Sequence, residues 1–196
     1  MRLLELFSGT HSVGKVAKEL GYEVISLDID GRATINCDIM EWDYTIYPVG
    51  YFQTIWSSPP CDNYSCMNYC RPEKKDNDLT NDDNIVKKVI EINNYFNPVY
   101  WFIENPQTGM LKNRSFMKKL NFYDCDYCMY GYGLRKRTRI WTNKKNLQLK
   151  KCDRTCGLIV NNKHPSFSYY NIQGMNRLDL RHTIPPKLIY DLLNTP

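Results

Sequence analysis

Apolar residues along this chain recur in two alternating patterns: short runs closed by a turn-forming residue, and longer stretches with helical spacing. Leu3 to Phe7 is such a run and predicts a strand, Ser8-Gly9-Thr10 is a turn, and His11 to Leu20 repeats Val13, Val16, Ala17 and Leu20 at helix-face spacing. Gly21 stops that helix. Tyr22 to Leu27 predicts a second strand ending at Asp28, Thr34 to Cys37 a short third ending at Asp38, and Phe52 to Ser57 a fourth. Ile85, Val89, Ile92 and Phe96 then fall on one stripe of a helix that Thr80 or Asn81 is placed to cap. Val99 to Ile103 is a fifth strand, closed by Glu104-Asn105-Pro106, and Phe122 to Met129 with Arg137 to Thr142 reads as a hairpin. Alternating strands and helices predict a mostly parallel α/β sheet with helices on both faces, finished by an antiparallel hairpin.

The remainder is less regular. Lys144 to Arg181 is polar, basic and turn-rich, and Pro185-Pro186 opens a short apolar helix through Leu193, as proline in a first turn allows. Asp62 to Asp78 is charged and loop-like, a candidate mobile segment over a site. With 196 residues the chain suits a single domain, 1–196. Heavy use of Asn, Lys, Ile and Tyr with almost no Ala reflects an A+T-rich genome more than the fold. The formal net charge of +5 favours an anionic partner. No stretch approaches membrane-spanning length, and Met1 to Phe7 reads as a strand rather than a signal peptide. The expectation is an intracellular protein, not secreted and not membrane-bound, whose eight cysteines are reduced.

Chemistry concentrates where strands are expected to stop. Pro59-Pro60-Cys61 ends the fourth run; two prolines halt a strand and present the next side chain at the rim of the sheet. Open α/β sheets bind ligands just beyond the carboxyl ends of their strands, so a thiol there suits nucleophilic attack. Phe7-Ser8-Gly9-Thr10 joins a strand to a helix N-terminus, where backbone N–H groups face a ligand, with His11 and Ser12 following. Asp28, with Ile29, could accept ribose hydroxyls, and Asp38, with Ile39, an adenine amino group. By itself the glycine turn is as consistent with a purely structural role, and an Asp after a strand is commonly a turn former.

Taken in order, Phe7-Ser-Gly, Pro59-Pro60-Cys61 with Ser65 behind it, Phe102-Ile-Glu104-Asn105 and Arg135-Lys-Arg137-Thr-Arg139 resemble the motifs of the cytosine-C5 DNA methyltransferases. The resemblance runs from the N-terminus to about Thr142 and is strongest to short, single-domain members from large DNA viruses and phages. It implies a class I S-adenosylmethionine-dependent, Rossmann-like methyltransferase fold, with the cofactor held by the glycine turn, the two acids and Pro60. It also implies a viral protein acting on double-stranded DNA in the host cytoplasm or nucleus. In such a mechanism Cys61 adds to cytosine C6, which makes C5 nucleophilic enough to take a methyl group. Glu104 donates to ring N3, Arg139 contacts the cytosine carbonyl, Arg137 holds the catalytic loop or a phosphate, and Ser65 and Asn105 contact substrate. The base must leave the duplex stack to reach the thiol. Amino-methylating enzymes carry an aromatic residue after Pro-Pro and an Asp or Asn before it; Ser58 and Cys61 argue for carbon methylation instead. Other readings are a tRNA or RNA cytosine methyltransferase and a catalytically silent DNA-binding protein.

The chain departs from the family in three places. His11 and Ser12 stand where further glycines are usual, and Arg181-His-Thr-Ile-Pro-Pro replaces the usual final motif. Only residues 143–182 are available for target recognition, with Lys144, Lys145, Lys150, Lys151 and Arg154 as expected phosphate contacts. Cys125-x2-Cys128, Cys152-x3-Cys156 and His164 have spacing that suits tetrahedral zinc. On a strand Cys125 and Cys128 would face opposite ways, which leaves Cys128, Cys152, Cys156 and His164 as the better set. Because the chemistry needs no metal, this reading favours reduced structural cysteines over zinc. Cys66-x3-Cys70 reads as incidental.

Overall fold

The structure, a computed structural model, describes residues 1–65, 79–166 and 176–194. Cys66, Cys70 and the Tyr169-Tyr170 pair lie outside the described residues, as does most of the expected mobile segment. Seven strands form one sheet in the order β3-β2-β1-β4-β5-β7-β6. They are β1 (Arg2–Leu6), β2 (Glu23–Asp28), β3 (Ile35–Asn36), β4 (Thr54–Ser57), β5 (Tyr100–Pro106), β6 (Phe122–Asp126) and β7 (Arg137–Thr142). The first five are parallel; β7 runs antiparallel to both β5 and β6. Strand order reverses at β1 and β4, the topological switch point where doubly wound sheets open a ligand crevice.

Alternation along the central strands sorts their side chains into two cores, as the period of a pleated strand requires. Leu3, Trp56, Phe102 and Ile140 pack under helices α1 (Ser12–Glu19) and α4 (Pro186–Asn194). Leu4, Ile55, Ile103 and Trp141 pack under α2 (Thr80–Phe96) on the other face. The predicted stripe Val89, Ile92 and Phe96 is fully buried there. A short helix, α3 (Arg177–His182), capped by the Asn176 side chain, precedes α4 and was not expected from the turn-rich sequence.

Two expectations are corrected. Neither Thr80 nor Asn81 caps α2: the boundary residue is Leu79, with no side-chain cap. Asp82 and Asp83 in the first turn complement the helix N-terminus instead. The strand expected through Met129 stops at Asp126, and Tyr127–Tyr130 forms a 3-10 turn closed by Gly131 at φ 79°. The strand stops because Asp126 is claimed from outside the sheet. Its N–H donates to Lys150 O, and its carboxylate accepts from Cys152 N–H at 2.7 Å and from Arg135 at 3.1 and 3.2 Å.

Candidate active site

The turn after β1 is unusually constrained. Phe7, Gly9 and His11 all have positive φ, at 59°, 42° and 56°. Left-handed backbone at non-glycine residues costs of order 1–3 kcal/mol each and marks sites where shape matters more than local stability. Glu5, 2 % exposed, accepts the N–H groups of Val13 and Gly14 at 3.2 and 3.1 Å and so occupies the start of α1 from below. A Cβ at Gly14 would sit 2.6 Å from the Glu5 carboxylate, so that position admits only glycine without a shift. His11 Nδ1 lies 3.8 Å from the Glu5 carboxylate, whose proximity raises the imidazole pKa.

Asp28 ends β2 as predicted, with one oxygen accepting Gly9 N–H at 2.8 Å and the other Ile29 N–H at 2.7 Å. Its carboxylate therefore fastens the turn to the second strand end. Asp38 is exposed and accepts Met40 N–H at 2.9 Å, whereas Ile39 is buried in the core and Ile29 is exposed. Thr10 and Ser12 share a hydroxyl–hydroxyl bond of 2.7 Å, and Ser12 Oγ also accepts Ile184 N–H at 3.2 Å. The buried hydroxyls of Ser8 and Ser57 and the Asn105 amide oxygen have no hydrogen-bond partner among the described residues. Ser8 lies in the turn after β1 and Ser57 ends the neighbouring strand β4, and buried polar atoms left bare in this way point to a missing partner. Open space above Gly9 agrees. Bare hydroxyls beside an open turn are of the kind an adenosyl cofactor would need.

Pro59-Pro60-Cys61 leaves β4 across the switch point, with Pro60 exposed and Cys61 half-buried. Asn105, 1 % exposed, donates to Pro59 O at 3.0 Å, so the strand carrying Glu104 also holds the loop carrying the thiol. Beyond Cys61 the chain is pinned by Tyr64, whose hydroxyl donates to Asp83 at 2.8 Å, and by Asn63, which bonds Asp82. Ser65 is half-buried. Burial, and then the charge of Glu104, push the Cys61 thiol up to about 11; Lys136 acts in the opposite direction.

Glu104, 5 % exposed, receives a hydrogen bond from the Tyr127 hydroxyl at 3.1 Å and pairs with Lys136 Nζ at 3.5 Å. Lys136 also donates to Arg181 O at 3.1 Å. The sequence reading gave no role to Tyr127 or Lys136. For Lys136 the signal was there: Thr138 and Ile140 share a face of β7, Ile140 pairs with Glu104, and Lys136 stands just before the strand in the same alternation.

The same register places Arg139 opposite Asn105, on the other face of the sheet from Glu104. Arg139 binds the Asp124 carboxylate with two nitrogens at 2.7 and 2.9 Å and lies 3.5 Å over the Phe122 ring. Arg137 is exposed and lines a cleft of about 300 Å³ with Arg135 and Lys151. The structure thus joins Cys61, Glu104 and Asn105 but not the two arginines. Of the expected phosphate contacts, Lys145, Lys150, Lys151 and Arg154 are exposed. Lys144 is not: it is 2 % exposed, donates to Leu192 O at 2.8 Å, and burial lowers its pKa. It fastens the chain after β7 to the end of α4.

Comparison with known proteins follows this geometry. A protein of Frog virus 3 (isolate Goorha), named "Probable DNA (cytosine-5)-methyltransferase", is 32 % identical over 216 residues, covering 99 % of both chains. A solved E. coli structure described as a "putative DNA modification methyltransferase encoded within prophage" matches with a TM-score of 0.53 at 14 % identity. That match covers 72 % of this chain and 46 % of the other, and bears on the fold. No family model matches the chain. Among the described residues no helix is long and apolar enough to cross a membrane. With a Rossmann-like methyltransferase sheet and a relative aligned over nearly its whole length, the chain belongs to the DNA (cytosine-5)-methyltransferase family.

Proposed function

We propose that this chain is a viral, intracellular enzyme that methylates carbon 5 of cytosine in double-stranded DNA, with Cys61 as a covalent nucleophile. The supporting observation is that Glu104, whose charge raises the Cys61 pKa, lies on β5 beside the strand β4 that leads to Cys61, near buried hydroxyls of Ser8 and Ser57 that have no partner among the described residues.

S-adenosylmethionine, when bound, supplies the electrophilic methyl group. Residues 7–12 would hold it, with Asp28 fixing the turn and Asp38 exposed at the next strand end. Cys61 loses its thiol proton to solvent, and the sulfur bonds to C6 of an extruded cytosine as the C5–C6 double bond opens. Glu104 shares a proton with ring N3, so charge pushed into the ring by the thiolate is neutralised and C5 becomes enamine-like. Tyr127 and Lys136 hold the Glu104 carboxyl at that position. After C5 is methylated, loss of the C5 proton re-forms the double bond and expels Cys61. Pro59, tied to Asn105, keeps the sulfur at the crevice throughout. Residues 143–182 form a minimal target-recognition insert, with the exposed lysines on the phosphates.

The test is incubation with duplex DNA containing 5-fluorocytosine, whose fluorine cannot leave as a proton does. A stable protein–DNA adduct is expected with the native chain and none with Cys61→Ala. An adduct that forms on tRNA but never on duplex DNA would overturn the substrate. Tritiated-methyl transfer persisting in Cys61→Ala would overturn the nucleophile.

A further inference from the structure

We propose that Cys128, Cys152, Cys156 and His164 bind one zinc ion, a structural site that fastens the insert to the end of β6. The four come from separate pieces of chain: the 3-10 turn after β6, the loop at 152–156, and the residue after a tight hairpin. All four ligand atoms lie within 4.8 Å of one another. His164 Nε2 is 3.8 Å from Cys128 Sγ, 3.4 Å from Cys152 Sγ and 3.3 Å from Cys156 Sγ. Zinc–sulfur bonds of about 2.3 Å and zinc–nitrogen bonds of about 2.0–2.1 Å, at tetrahedral angles, set each sulfur about 3.6 Å from the nitrogen. The observed distances bracket that value.

Rival explanations leave part of the arrangement without a cause. A ring nitrogen carries either one proton or one lone pair, so hydrogen bonding accounts for one of three sulfurs around Nε2, not all. A disulfide would draw two sulfurs to about 2.0 Å and leave the third thiol and the imidazole unexplained. All three cysteines are free in the structure. A soft set of three sulfurs and one nitrogen suits zinc and not magnesium or calcium.

The surroundings are those of a prepared site. Arg154 N–H donates to Cys152 Sγ at 3.4 Å from a left-handed residue, φ 80°. Cys152 N–H is held by Asp126, which Arg135 holds in turn. Val160 and Lys163 pair across Asn161 and Asn162, both with positive φ, and this tight reversal delivers His164 back to the cysteines. Three thiolates and a divalent cation carry one net negative charge, offset by Arg135, Lys151 and Arg154 nearby. Cys125, buried one turn away, pairs across to Thr138 and faces Glu104 instead. The site is independent of the chemistry at Cys61.

The full chain, purified without chelator, should carry about one zinc per molecule by elemental mass spectrometry. Cys156→Ser and His164→Ala should each lower that content at least about tenfold, while Cys125→Ser and Cys61→Ala leave it unchanged. Cobalt added to the demetallated full chain should give the visible bands of a tetrahedral thiolate complex. Native chain that is folded by circular dichroism yet takes up neither zinc nor cobalt would overturn the site. So would zinc retained at full content in a Cys156→Ser, His164→Ala double variant, or iron or copper found in its place. Because loading is read on the native chain, a variant that fails to fold leaves the proposal exposed to refutation.

Discussion

The described residues up to 142 (1–65 and 79–142) and residues 143–166 both hold side chains in fixed relation, and they do so by opposite means. In the first, strand register does the placing: Leu6 beside Ser57, Ser57 beside Ile103, Glu104 beside Ile140. Each contact there is over-determined, because shifting one residue would turn a whole strand inside out. In the second, only an isolated Val160–Lys163 bridge is regular. Position depends on a few point contacts: Lys144 on Leu192 O, Cys152 N–H on Asp126, and the four ligand side chains. The first region tolerates loss of a functional group without loss of shape; the second does not.

That contrast can be broken experimentally. Cys61→Ala should lower methyl transfer by at least about 1,000-fold while zinc content and cofactor affinity stay as they were. Isothermal titration and metal analysis on one preparation check both halves. Loss of zinc in this variant would show the two regions to be coupled. Glu104→Gln should cost about 10²- to 10⁴-fold in single-turnover rate. It should also lower the pKa of Cys61, because the Glu104 charge helps raise it.

The pH dependence has a definite sign. The Cys61 pKa is raised to about 11, so the thiol form predominates at neutral pH and thiolate rises about tenfold per pH unit below that value. Alkylation of Cys61 by iodoacetamide in the free enzyme should climb accordingly between pH 8 and 10. Lys136→Met should move this profile to higher pH and slow methylation by about tenfold; an unmoved profile would remove Lys136 from the site. The smallest effect belongs to the insert. Lys145→Ala with Lys151→Ala should flatten the salt dependence of DNA binding by about two phosphate contacts. Lys144→Met should leave that slope alone and lower thermal stability, since its ammonium serves Leu192 O.

The same contrast explains how much could be read from the chain. Five parallel strands, α1 and the α2 stripe were legible because burial imposes a period of two or three and a half on the residues themselves. Cys61 was legible because it follows a strand end; Glu104 and Asn105 read as residues just past the fifth strand, which in fact runs on through them to Pro106. Arg137 and Arg139 were legible as a motif, but not their direction: only the pairing of Arg139 with Asn105 puts it across the sheet from Glu104. Lys144 read as a surface lysine because no pattern announces that α4 ends above it. The cysteines of the insert could be counted, yet their meeting with Cys128 depends on β6 stopping at Asp126, a long-range effect of Cys152 and Arg135.

The bond from Ile184 N–H to Ser12 Oγ closes the chain across 172 residues. Behind it, Leu188, Ile189 and Leu192 of α4 fill one face of the sheet and are 0 % exposed. A ribosome making this protein therefore releases β1 and its turn long before the helix that covers them exists. Until α4 emerges, Leu3, Trp56 and Phe102 have no roof over much of that face, and the turn that ends in Ser12 lacks its last tie. Such long-range closure makes folding slow and late. A nascent chain stalled before residue 184 therefore leaves that face of the sheet uncovered and the Ser12 turn without this tie.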